Sequence, residues 1–313
     1  MDELQDNSID VIITSPPYNR GKQYISDTQE EYNDSLSEQD YLTFLTNVWK
    51  ECYRVANQKA VFFLNIGDSA TDQGKSEKVA QCAESVGWIR IQDIVWIKSI
   101  YGRGHYTPTG NNKRFNNLWE HIFMFVKNPK EYSINPKAIG IPYVDKSNIG
   151  RYSSIDLRDA GNVFHIPYEK TTGASIKKRH DAPFPIGLPY DCIKVVENCT
   201  TVLDPFVGTG TTLAAAYLLG KKGFGYELYP LTTLIQDTIQ NASFESNCPI
   251  LIPHYETTIQ TLVSLLKTFE FDTSQPLSKK QKEQYQIVID TLMKLKIQSP
   301  FLDQLKRCEK QNE

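Results

Sequence analysis

Two short stretches carry residue types that could perform chemistry together. The first is Ser15-Pro16-Pro17-Tyr18, in which two prolines hold a hydroxyl, a carbonyl and an aromatic ring on a rigid loop. The second is the glycine-rich turn Asp204-Pro205-Phe206-Val207-Gly208-Thr209-Gly210-Thr211-Thr212, of the kind that offers backbone N–H groups to a ligand. The first stretch could orient a substrate group, and the second could bind a cofactor.

The residues around the glycine turn predict a nucleoside cofactor. The apolar run 201–203 predicts a strand leading in, 213–220 a helix leading out, and 223–227 a second strand that ends in Glu227. An acid about 20 residues beyond such a turn can accept hydrogen bonds from ribose hydroxyls. The turn lacks the GxGxxG and GK[ST] patterns, which favours a nucleoside without pyrophosphate. The structural alternatives are a capping role for Asp204 and a surface position for Glu227.

The elements that must position these stretches alternate along the chain, which predicts an α/β protein. Apolar runs predict strands at 9–13, 60–65, 89–97, 118–126, 201–203 and 223–227. Helical spacing predicts helices at 39–55, 75–86, 188–197, 213–220 and 231–242, with loops at 20–38 and 99–115. The first strand runs directly into Ser15, and ligands of open α/β sheets bind at the carboxyl ends of strands.

Composition favours a cytoplasmic globular protein. The 313 residues are 40% apolar and 23% charged, with a net charge of −3. We find no apolar run long enough to cross a membrane and no amino-terminal signal pattern, so membrane and secreted classes are disfavoured. The six cysteines form no CxxC pair, which predicts reduced thiols and no metal site. The sequence is compatible with a homodimer and does not specify the oligomeric state.

The segment 127–179 differs from the rest of the chain in charge. Ten lysines and arginines face five acids, and four tyrosines are interleaved. Such a mixture suits phosphate contacts and base stacking, although a solvated insertion would have a similar composition. The candidate DNA-binding residues are Arg151, Arg158, Lys177, Lys178 and Arg179.

The paired motifs resemble the amino-methyltransferases of DNA, and their order along the chain resembles the beta class. The resemblance covers roughly residues 7–230 and includes the turn at 180–185. It implies S-adenosylmethionine as cofactor, double-stranded DNA as partner and a target base flipped out of the duplex. It assigns catalysis to Ser15, Pro16, Pro17 and Tyr18, and cofactor binding to Thr14, Asp204, Pro205, Phe206, Gly208, Gly210, Thr211 and Glu227.

The chemistry implied by the resemblance is orientation of a poorly nucleophilic amine. Ser15 Oγ and the Pro16 carbonyl would each accept one amine hydrogen, and Tyr18 would stack on the base. Phe206 would pack against the sulfonium or the adenine. Asn65 and Asp68, at the end of another strand, either line the same cleft or have a packing role.

Several alternatives stay open at this stage. Serine at position 15 favours cytosine N4 as the target, with adenine N6 as the alternative. A cofactor-binding but inactive DNA-binding subunit is a different class of function. An RNA or small-molecule methyltransferase is a further possibility, but it would not need the basic segment.

The resemblance also implies an architecture: a circularly permuted, Rossmann-like methyltransferase sheet with helices on both faces. We assign the catalytic half to 1–126, a target-recognition region to 127–179, the cofactor-binding half to 180–245 and a mostly helical extension to 246–313. The family's edge strand, with its acidic turn, is missing before Ile9. Either the chain begins late, or the run Ile250-Leu251-Ile252 supplies this strand, with Glu256 as its acid.

Overall fold

The structure is a computed structural model that describes residues 1–21, 34–68, 72–100, 103–104, 115, 117–151, 154–167, 184–228 and 231–243. Contacts between residues divide the chain into two compact units, Met1–Asn247 and Cys248–Glu313, and every described residue belongs to the first. The expected edge strand at 250–252, its acid Glu256 and the rest of the extension 246–313 therefore lie outside the described residues.

Nine strands occur among the described residues, and seven of them form one sheet. They are β1 (Ile9–Thr14), β2 (Ala56–Ile66), β3 (Ile89–Ile97), β4 (Ser99–Ile100), β5 (Arg103–Gly104), β6 (Trp119–Val126), β7 (Val163–His165), β8 (Thr201–Asp204) and β9 (Lys222–Gly225). The short strands β4 and β5 form a separate antiparallel pair. In the large sheet the order is β7-β3-β6-β2-β1-β8-β9.

Five α-helices accompany the sheet in the part of the chain that the structure describes. They are α1 (Glu38–Val55), α2 (Lys75–Val86), α3 (Gly187–Val195), α4 (Thr211–Leu218) and α5 (Thr232–Gln240). Helix α1 begins where the Ser37 hydroxyl accepts a hydrogen bond from the Asp40 amide at 3.1 Å, an N-cap that satisfies one free donor of the first turn. Its buried side chains recur at helical spacing, so one face packs on the sheet.

The sheet packs between helices on both faces, as expected for the fold class. Successive side chains of a strand point to opposite faces, and β1 contributes Ile12 to one core and Val11 and Ile13 to the other. The first core includes buried residues of α1 and α2, and the second includes buried residues of α3 and α4. Burial on both faces explains why Val11, Ile12 and Ile13 form a continuous apolar run within β1.

Strand β1 lies at the centre of the arrangement that matters for function. It pairs in parallel with β2 and with β8, and Ile12 is opposite Phe62 on one side and Leu203 on the other. The two loops singled out in the sequence therefore leave the carboxyl ends of adjacent parallel strands, although about 190 residues separate them along the chain.

Strand β6 runs antiparallel to both of its neighbours, β2 and β3. Ile66, the last residue of β2, is opposite His121, near the start of β6. An antiparallel strand begins where its neighbour ends, so Glu120 lies at the same edge of the sheet as the carboxyl ends of β1 and β2.

The structure confirms the predicted helices and strands in the described residues, corrects several of their ends and adds β4 and β5 within the loop predicted at 99–115. The helix at 75–86 and the strand at 89–97 have the predicted bounds, whereas β2 is longer than 60–65. The strand predicted at 223–227 ends at Gly225, which is opposite Asp204, the last residue of β8. Glu227 therefore lies two residues beyond the strand and not at its end.

Part of the segment 127–179 belongs to the main sheet. Short 3-10 helices occupy Pro136–Ile139 and Lys146–Asn148, and β7 pairs in parallel with β3. Phe164 of β7 is buried, and the indole N–H of Trp96 donates to the Ile166 carbonyl at 2.7 Å. The sequence analysis predicts no strand in this segment, because a strand of three residues carries too little periodicity to detect.

Candidate active site

The acceptor loop, residues 15–18, leaves β1 with its backbone held by side chains of two helices. The Tyr41 hydroxyl on α1 donates to the Pro17 carbonyl at 2.8 Å, and Lys75 Nζ on α2 donates to the Tyr18 carbonyl at 3.1 Å. Among the described residues, no donor hydrogen-bonds to the Pro16 carbonyl. The loop therefore presents one available carbonyl, that of Pro16, followed by two that are already bonded.

The turn after the acceptor loop is closed by the buried Asp34. Its carboxylate accepts hydrogen bonds from the backbone amides of Asn19 and Arg20 at 3.0 and 2.9 Å. Asn19 has φ +52°, a left-handed conformation that asparagine adopts more readily than most residues. The Arg20 guanidinium carbon lies 4.7 Å from the centroid of the Tyr18 ring, so a cation covers the ring predicted to stack on a base.

The side chains of the acceptor loop form a hydrogen-bond chain that leaves the loop. Ser15 Oγ lies 3.4 Å from the Tyr18 hydroxyl, and that hydroxyl donates to Glu120 Oε2 at 3.0 Å. Burial, and then the charge of Glu120, raises the pKa of Tyr18 well above its ordinary value. Tyr18 is therefore a neutral phenol that can donate its hydrogen.

Side chains from three other parts of the fold contact Glu120: Tyr18 of the acceptor loop, Lys98 and Asn65. Lys98, just after β3, forms an ion pair with Glu120 at 2.6 Å, and Asn65 Nδ2 on β2 donates to its Oε2 at 3.2 Å. Asn65 also donates to the His121 carbonyl at 3.0 Å. A Cβ atom at Gly67 would lie 2.6 Å from Glu120 Cγ, so glycine leaves the space that the glutamate side chain occupies.

Asp68 has a structural role, which was one of the two alternatives. Its carboxylate accepts from the backbone amides of Gly74 and Ser76, both at 2.9 Å, at the start of α2. Burial alone would raise the pKa of Asp68, but these hydrogen bonds outweigh it and lower the pKa below its ordinary value. The cap fixes α2, which in turn carries Lys75 to the acceptor loop.

A buried carboxylate joins the two strands that carry the site. Asp204 accepts hydrogen bonds from the hydroxyls of Thr14 and Thr212, both at 2.6 Å, and from the Phe206 amide at 3.0 Å. Burial raises the pKa of Asp204 to about 6, although these hydrogen bonds act in the opposite direction. Thr14 and Asp204 therefore connect the end of β1 to the end of β8, and their contact with a cofactor stays a prediction.

The glycine loop, residues 205–210, adopts conformations that favour glycine. Gly208 has φ +50° and Gly210 has φ +90°, the latter as N-cap of α4. The Gly208 amide donates to Glu227 Oε2 at 2.9 Å, so the acid predicted to bind ribose contacts the loop itself. Thr211, predicted to contact the cofactor, has its hydroxyl 3.3 Å from the Thr209 hydroxyl.

Phe206 is part of an aromatic cluster beneath the glycine loop. Its ring centroid lies 5.9 Å from that of Phe44 and 6.2 Å from that of Trp49, both on α1. Pro205 beside it is buried. The cluster anchors the loop to α1, while contact of Phe206 with a cofactor stays a prediction.

A groove of about 370 Å³ opens beside the glycine loop. Residues from the loop, from the end of β9 and from α4 and α5 line it: Val207, Leu213, Gly225, Glu227, Leu228, Leu231, Thr232 and Ile235. Its walls are mostly aliphatic, with one carboxylate. Such a lining suits a flat, largely apolar group with hydroxyls at one side.

The candidate DNA-binding residues are only partly described. Arg151 and Arg158 are exposed, and the backbone of Arg158 pairs with Ile141 through hydrogen bonds of 2.9 and 3.2 Å. Lys177, Lys178 and Arg179 lie outside the described residues. The placement of two exposed guanidinium groups is compatible with phosphate contacts.

The sequence prediction missed the residues that hold the acceptor loop. Glu120 lies within β6 and Lys98 directly follows β3, and the sequence of both strands predicts only a buried core. Tyr41 lies on α1, whose sequence predicts only an amphipathic helix. The available signal was a glutamate at the start of an otherwise apolar strand. Its relevance depends on the antiparallel direction of β6, which periodicity does not reveal.

Within the described ranges, no helix has both the length and the apolarity needed to cross a membrane. In the same ranges, no cluster of three or more His, Cys, Asp or Glu side chains is placed to hold a metal ion.

Comparison with known proteins places these features in one family. The sequence model of a family described as DNA methylase matches residues 9–233, a span that begins with β1 and ends in α5. The chain is 28% identical over 246 residues to the type II methyltransferase M.BglII of Bacillus subtilis, covering 72% of this chain and 62% of that protein. It therefore spans less than two thirds of that relative's length.

Two further similarities agree with this match. The chain is 28% identical over 264 residues to the type II methyltransferase M.MjaI of Methanocaldococcus jannaschii, covering 73% of this chain and 84% of that protein. The solved structure of the PvuII DNA methyltransferase, described as cytosine-N4-specific, aligns with a TM-score of 0.57 at 17% identity. The alignment covers 78% of this chain and 84% of that one, a likeness of fold.

Proposed function

The chain belongs to the DNA methylase family, and on that premise we propose that it transfers a methyl group from S-adenosylmethionine to an exocyclic amine of a DNA base. The observation that carries the proposal is the juxtaposition of the acceptor loop and the glycine loop. They leave adjacent parallel strands, and the hydrogen bond between Thr14 and Asp204 joins those strands at their ends. One active site is thus built from two distant parts of the chain.

The glycine loop and the groove fit S-adenosylmethionine. No atom outside its chain neighbours lies closer than 4.0 Å to a Cβ built at Gly208, so the space that a side chain would fill is open. Glu227 offers a carboxylate to ribose hydroxyls, and the aliphatic walls formed by Val207, Leu228 and Ile235 suit the adenine ring. When bound, the cofactor supplies an electrophilic methyl group on a sulfonium. Gly208, Gly210 and Glu227 would hold it.

The acceptor loop is suited to orient an amine. The lone pair of an exocyclic amine is delocalised into the base, and two acceptors for its hydrogens would turn that lone pair toward an electrophile. The Pro16 carbonyl and Ser15 Oγ are such a pair, and their loop is held by Tyr41 and Lys75 before any substrate binds. Because the acceptors are already oriented, the loop contributes orientation and electrostatic stabilisation rather than covalent catalysis.

We favour cytosine N4 over adenine N6 as the target. Serine at the first position of the acceptor loop supports this choice, and the PvuII enzyme of similar fold is described as cytosine-N4-specific. The two amines are chemically alike, so adenine N6 is the alternative. A base inside a duplex cannot reach the acceptor loop, which implies flipping of the target nucleotide.

We place the reaction in a restriction-modification system, because the relatives M.BglII and M.MjaI are named type II methyltransferases. In this proposal the segment 127–179 reads the DNA, and the exposed Arg151 and Arg158 contact phosphates. The strand order, in which the first strand of the chain pairs with the eighth, is consistent with a circular permutation.

The proposal is tested by methyl transfer from labelled S-adenosylmethionine to unmethylated duplex DNA of mixed sequence. Wild type should incorporate label, and removing one acceptor by Ser15→Ala should lower the rate about 100-fold. Ser85→Ala, at an exposed serine near the end of α2, is the matched control and should retain the wild-type rate. Mass analysis of the nucleosides then distinguishes N4-methylcytosine from N6-methyladenine.

Three results would contradict the proposal. Equal incorporation by wild type and Ser15→Ala would remove the acceptor loop from the reaction. Binding of both cofactor and DNA without any incorporation would favour the inactive DNA-binding subunit. Incorporation into RNA alone would move the protein to another substrate class.

A further inference from the structure

We propose that Glu120 is a positioning residue of this active site, because it sets the direction of the hydrogen-bond chain that runs from Ser15 through Tyr18. In this arrangement Ser15 can act toward a target amine only as an acceptor. The inference rests on the proposed function and names a residue that neither motif contains.

The hydrogen-bond chain from Ser15 through Tyr18 has a direction because its last member, Glu120, is a carboxylate. A carboxylate can only accept hydrogen bonds, so the Tyr18 hydroxyl must donate its single hydrogen to Glu120 Oε2, 3.0 Å away. The lone pairs of that hydroxyl are then available to the Ser15 hydroxyl, 3.4 Å away. Once Ser15 donates there, its own lone pairs are left for a hydrogen of the target amine.

The surroundings of Glu120 oppose any reversal of this direction. Lys98 Nζ donates to Oε1 at 2.6 Å and Asn65 Nδ2 donates to Oε2 at 3.2 Å, and neither group can accept a hydrogen bond. The side chains of Lys98 and Glu120 are only 11% and 13% exposed, so water competes weakly for these bonds. Gly67 has no side chain, so the space beside it is open to the Glu120 side chain at this position.

The direction of the hydrogen-bond chain decides whether the Ser15 hydroxyl attracts or repels a hydrogen of the target amine. With the observed direction, an amine hydrogen meets a lone pair of Ser15. With the opposite direction, the Ser15 hydrogen would point toward the amine hydrogen, and the acceptor pair formed with the Pro16 carbonyl would lose one member. Glu120 therefore acts through Ser15 and does not itself contact the base.

The test uses the full-length protein and a substitution of nearly equal shape. In Glu120→Gln, the charge of Lys98 should hold the amide oxygen, which leaves the NH2 group facing both the Tyr18 hydroxyl and the Asn65 amide donor. Tyr18 can then no longer donate to position 120, and the direction of the hydrogen-bond chain is reversed. We expect kcat to fall about 100-fold, while KM for S-adenosylmethionine stays within about threefold, because the cofactor site is not touched. Glu84→Gln, at an exposed glutamate of α2, is the matched control and should be unchanged.

A second substitution separates hydrogen-bond direction from simple structural support. Adding Lys98→Met to Glu120→Gln removes the cation that holds the amide oxygen, so the amide can rotate and present its oxygen to Tyr18. The double variant should recover at least about tenfold in kcat over Glu120→Gln alone. If Glu120 only supported the fold, removing its ion-pair partner would lower activity further, and that result would overturn the inference.

A readout without DNA keeps the inference distinct from the proposed function. The ¹³Cζ resonance of Tyr18, assigned from its loss in Tyr18→Phe, responds to whether the phenol donates or accepts. It should shift in Glu120→Gln and return toward the wild-type position in the double variant. If the resonance does not move in Glu120→Gln, the role of Glu120 is overturned whatever the activity. If the resonance does move but the wild type methylates no DNA, only the proposed function is overturned.

Discussion

The acceptor loop and the glycine loop lie at the ends of adjacent strands but are stabilised in different ways. The acceptor loop is held by side chains from elsewhere, since Tyr41 and Lys75 bind its carbonyls and Glu120 ends its side-chain network. The glycine loop is held through its own backbone, by positive-φ glycines and by hydrogen bonds from the Val207 and Gly208 amides to Tyr226 and Glu227, together with the packing of Phe206 on α1.

The difference matches what each loop is proposed to do. A loop that orients an amine must hold its acceptors in place before the substrate arrives, because orientation achieved in advance contributes directly to the rate. A loop that binds a cofactor must expose amide and carboxylate groups to it, and the proposed ribose contact would use the Glu227 carboxylate that also accepts from the Gly208 amide. Substitutions in the first loop should therefore affect kcat, and substitutions in the second should affect binding.

The largest expected effect is on cofactor binding and follows from Gly208→Leu. A side chain at this position would fill the open space beside the loop, so the affinity for S-adenosylmethionine should fall at least about 100-fold, on the order of 3 kcal/mol. Calorimetric titration of the protein with the cofactor measures it. Gly220→Leu is a matched control, because Gly220 also has a positive φ and open space but lies at the end of α4. Equal losses in both variants would show backbone strain rather than an occupied site.

The second prediction concerns Asp204, which both loops share. Its pKa in the folded protein is about 6, against an ordinary value of 3.8, so the folded state holds the proton more tightly than the unfolded state. The stability from this group is then fully present below the unfolded-state pKa and is lost as the pH rises through the folded-state pKa. Relative to Asp204→Asn, the wild type should gain on the order of 2 to 3 kcal/mol in free energy of unfolding between about pH 8 and about pH 4.

Urea denaturation of both proteins across that pH range measures the difference. The same comparison with Asp237→Asn, at an exposed position on α5, controls for the general effect of removing one carboxylate. A difference that grows as the pH rises would mean that the pKa of Asp204 is lowered by folding instead of raised.

The third prediction tests the link between the two strands. Thr14→Val preserves the side-chain shape but removes the hydroxyl that donates to Asp204, leaving a buried carboxylate with one fewer donor. The free energy of unfolding should fall by about 1 to 3 kcal/mol. Thr46→Val removes a hydroxyl that bonds only to the carbonyl one turn earlier in α1, and it should cost about 0.5 kcal/mol or less. Equal costs would mean that the link adds nothing beyond one ordinary hydrogen bond.

The two loops also show which parts of the fold and of the site can be predicted from the sequence alone. Apolar runs predict β1, β8 and the helices beside them, because strand and helix burial have distinct periods. The glycines and prolines of the two motifs identify where the chain turns, since those residues restrict or extend the allowed backbone angles. What the motifs do not contain is the network that supports them.

That network depends on how strands pair across the sheet. Glu120 joins the site because β6 runs antiparallel to β2, and Lys98 joins it because β3 pairs with β6. Neither fact follows from local spacing. The same reasoning explains Thr14 and Asp204, which the sequence assigns to the cofactor and which the structure shows bonded to each other.

The smallest expected effect comes from Tyr41→Phe, and it distinguishes the two loops most directly. The substitution keeps the buried ring and removes the hydroxyl that donates to the Pro17 carbonyl, so stability should fall by about 1 kcal/mol. With that carbonyl released, the acceptor loop is less well held, and kcat should fall about tenfold while the affinity for S-adenosylmethionine is unchanged. Tyr53→Phe on the same helix is the control, because that ring packs on Trp88 and its hydroxyl makes no hydrogen bond within the described residues. A loss of cofactor affinity in Tyr41→Phe without a loss of kcat would contradict the division of roles, because the support of the acceptor loop would then act on the glycine loop.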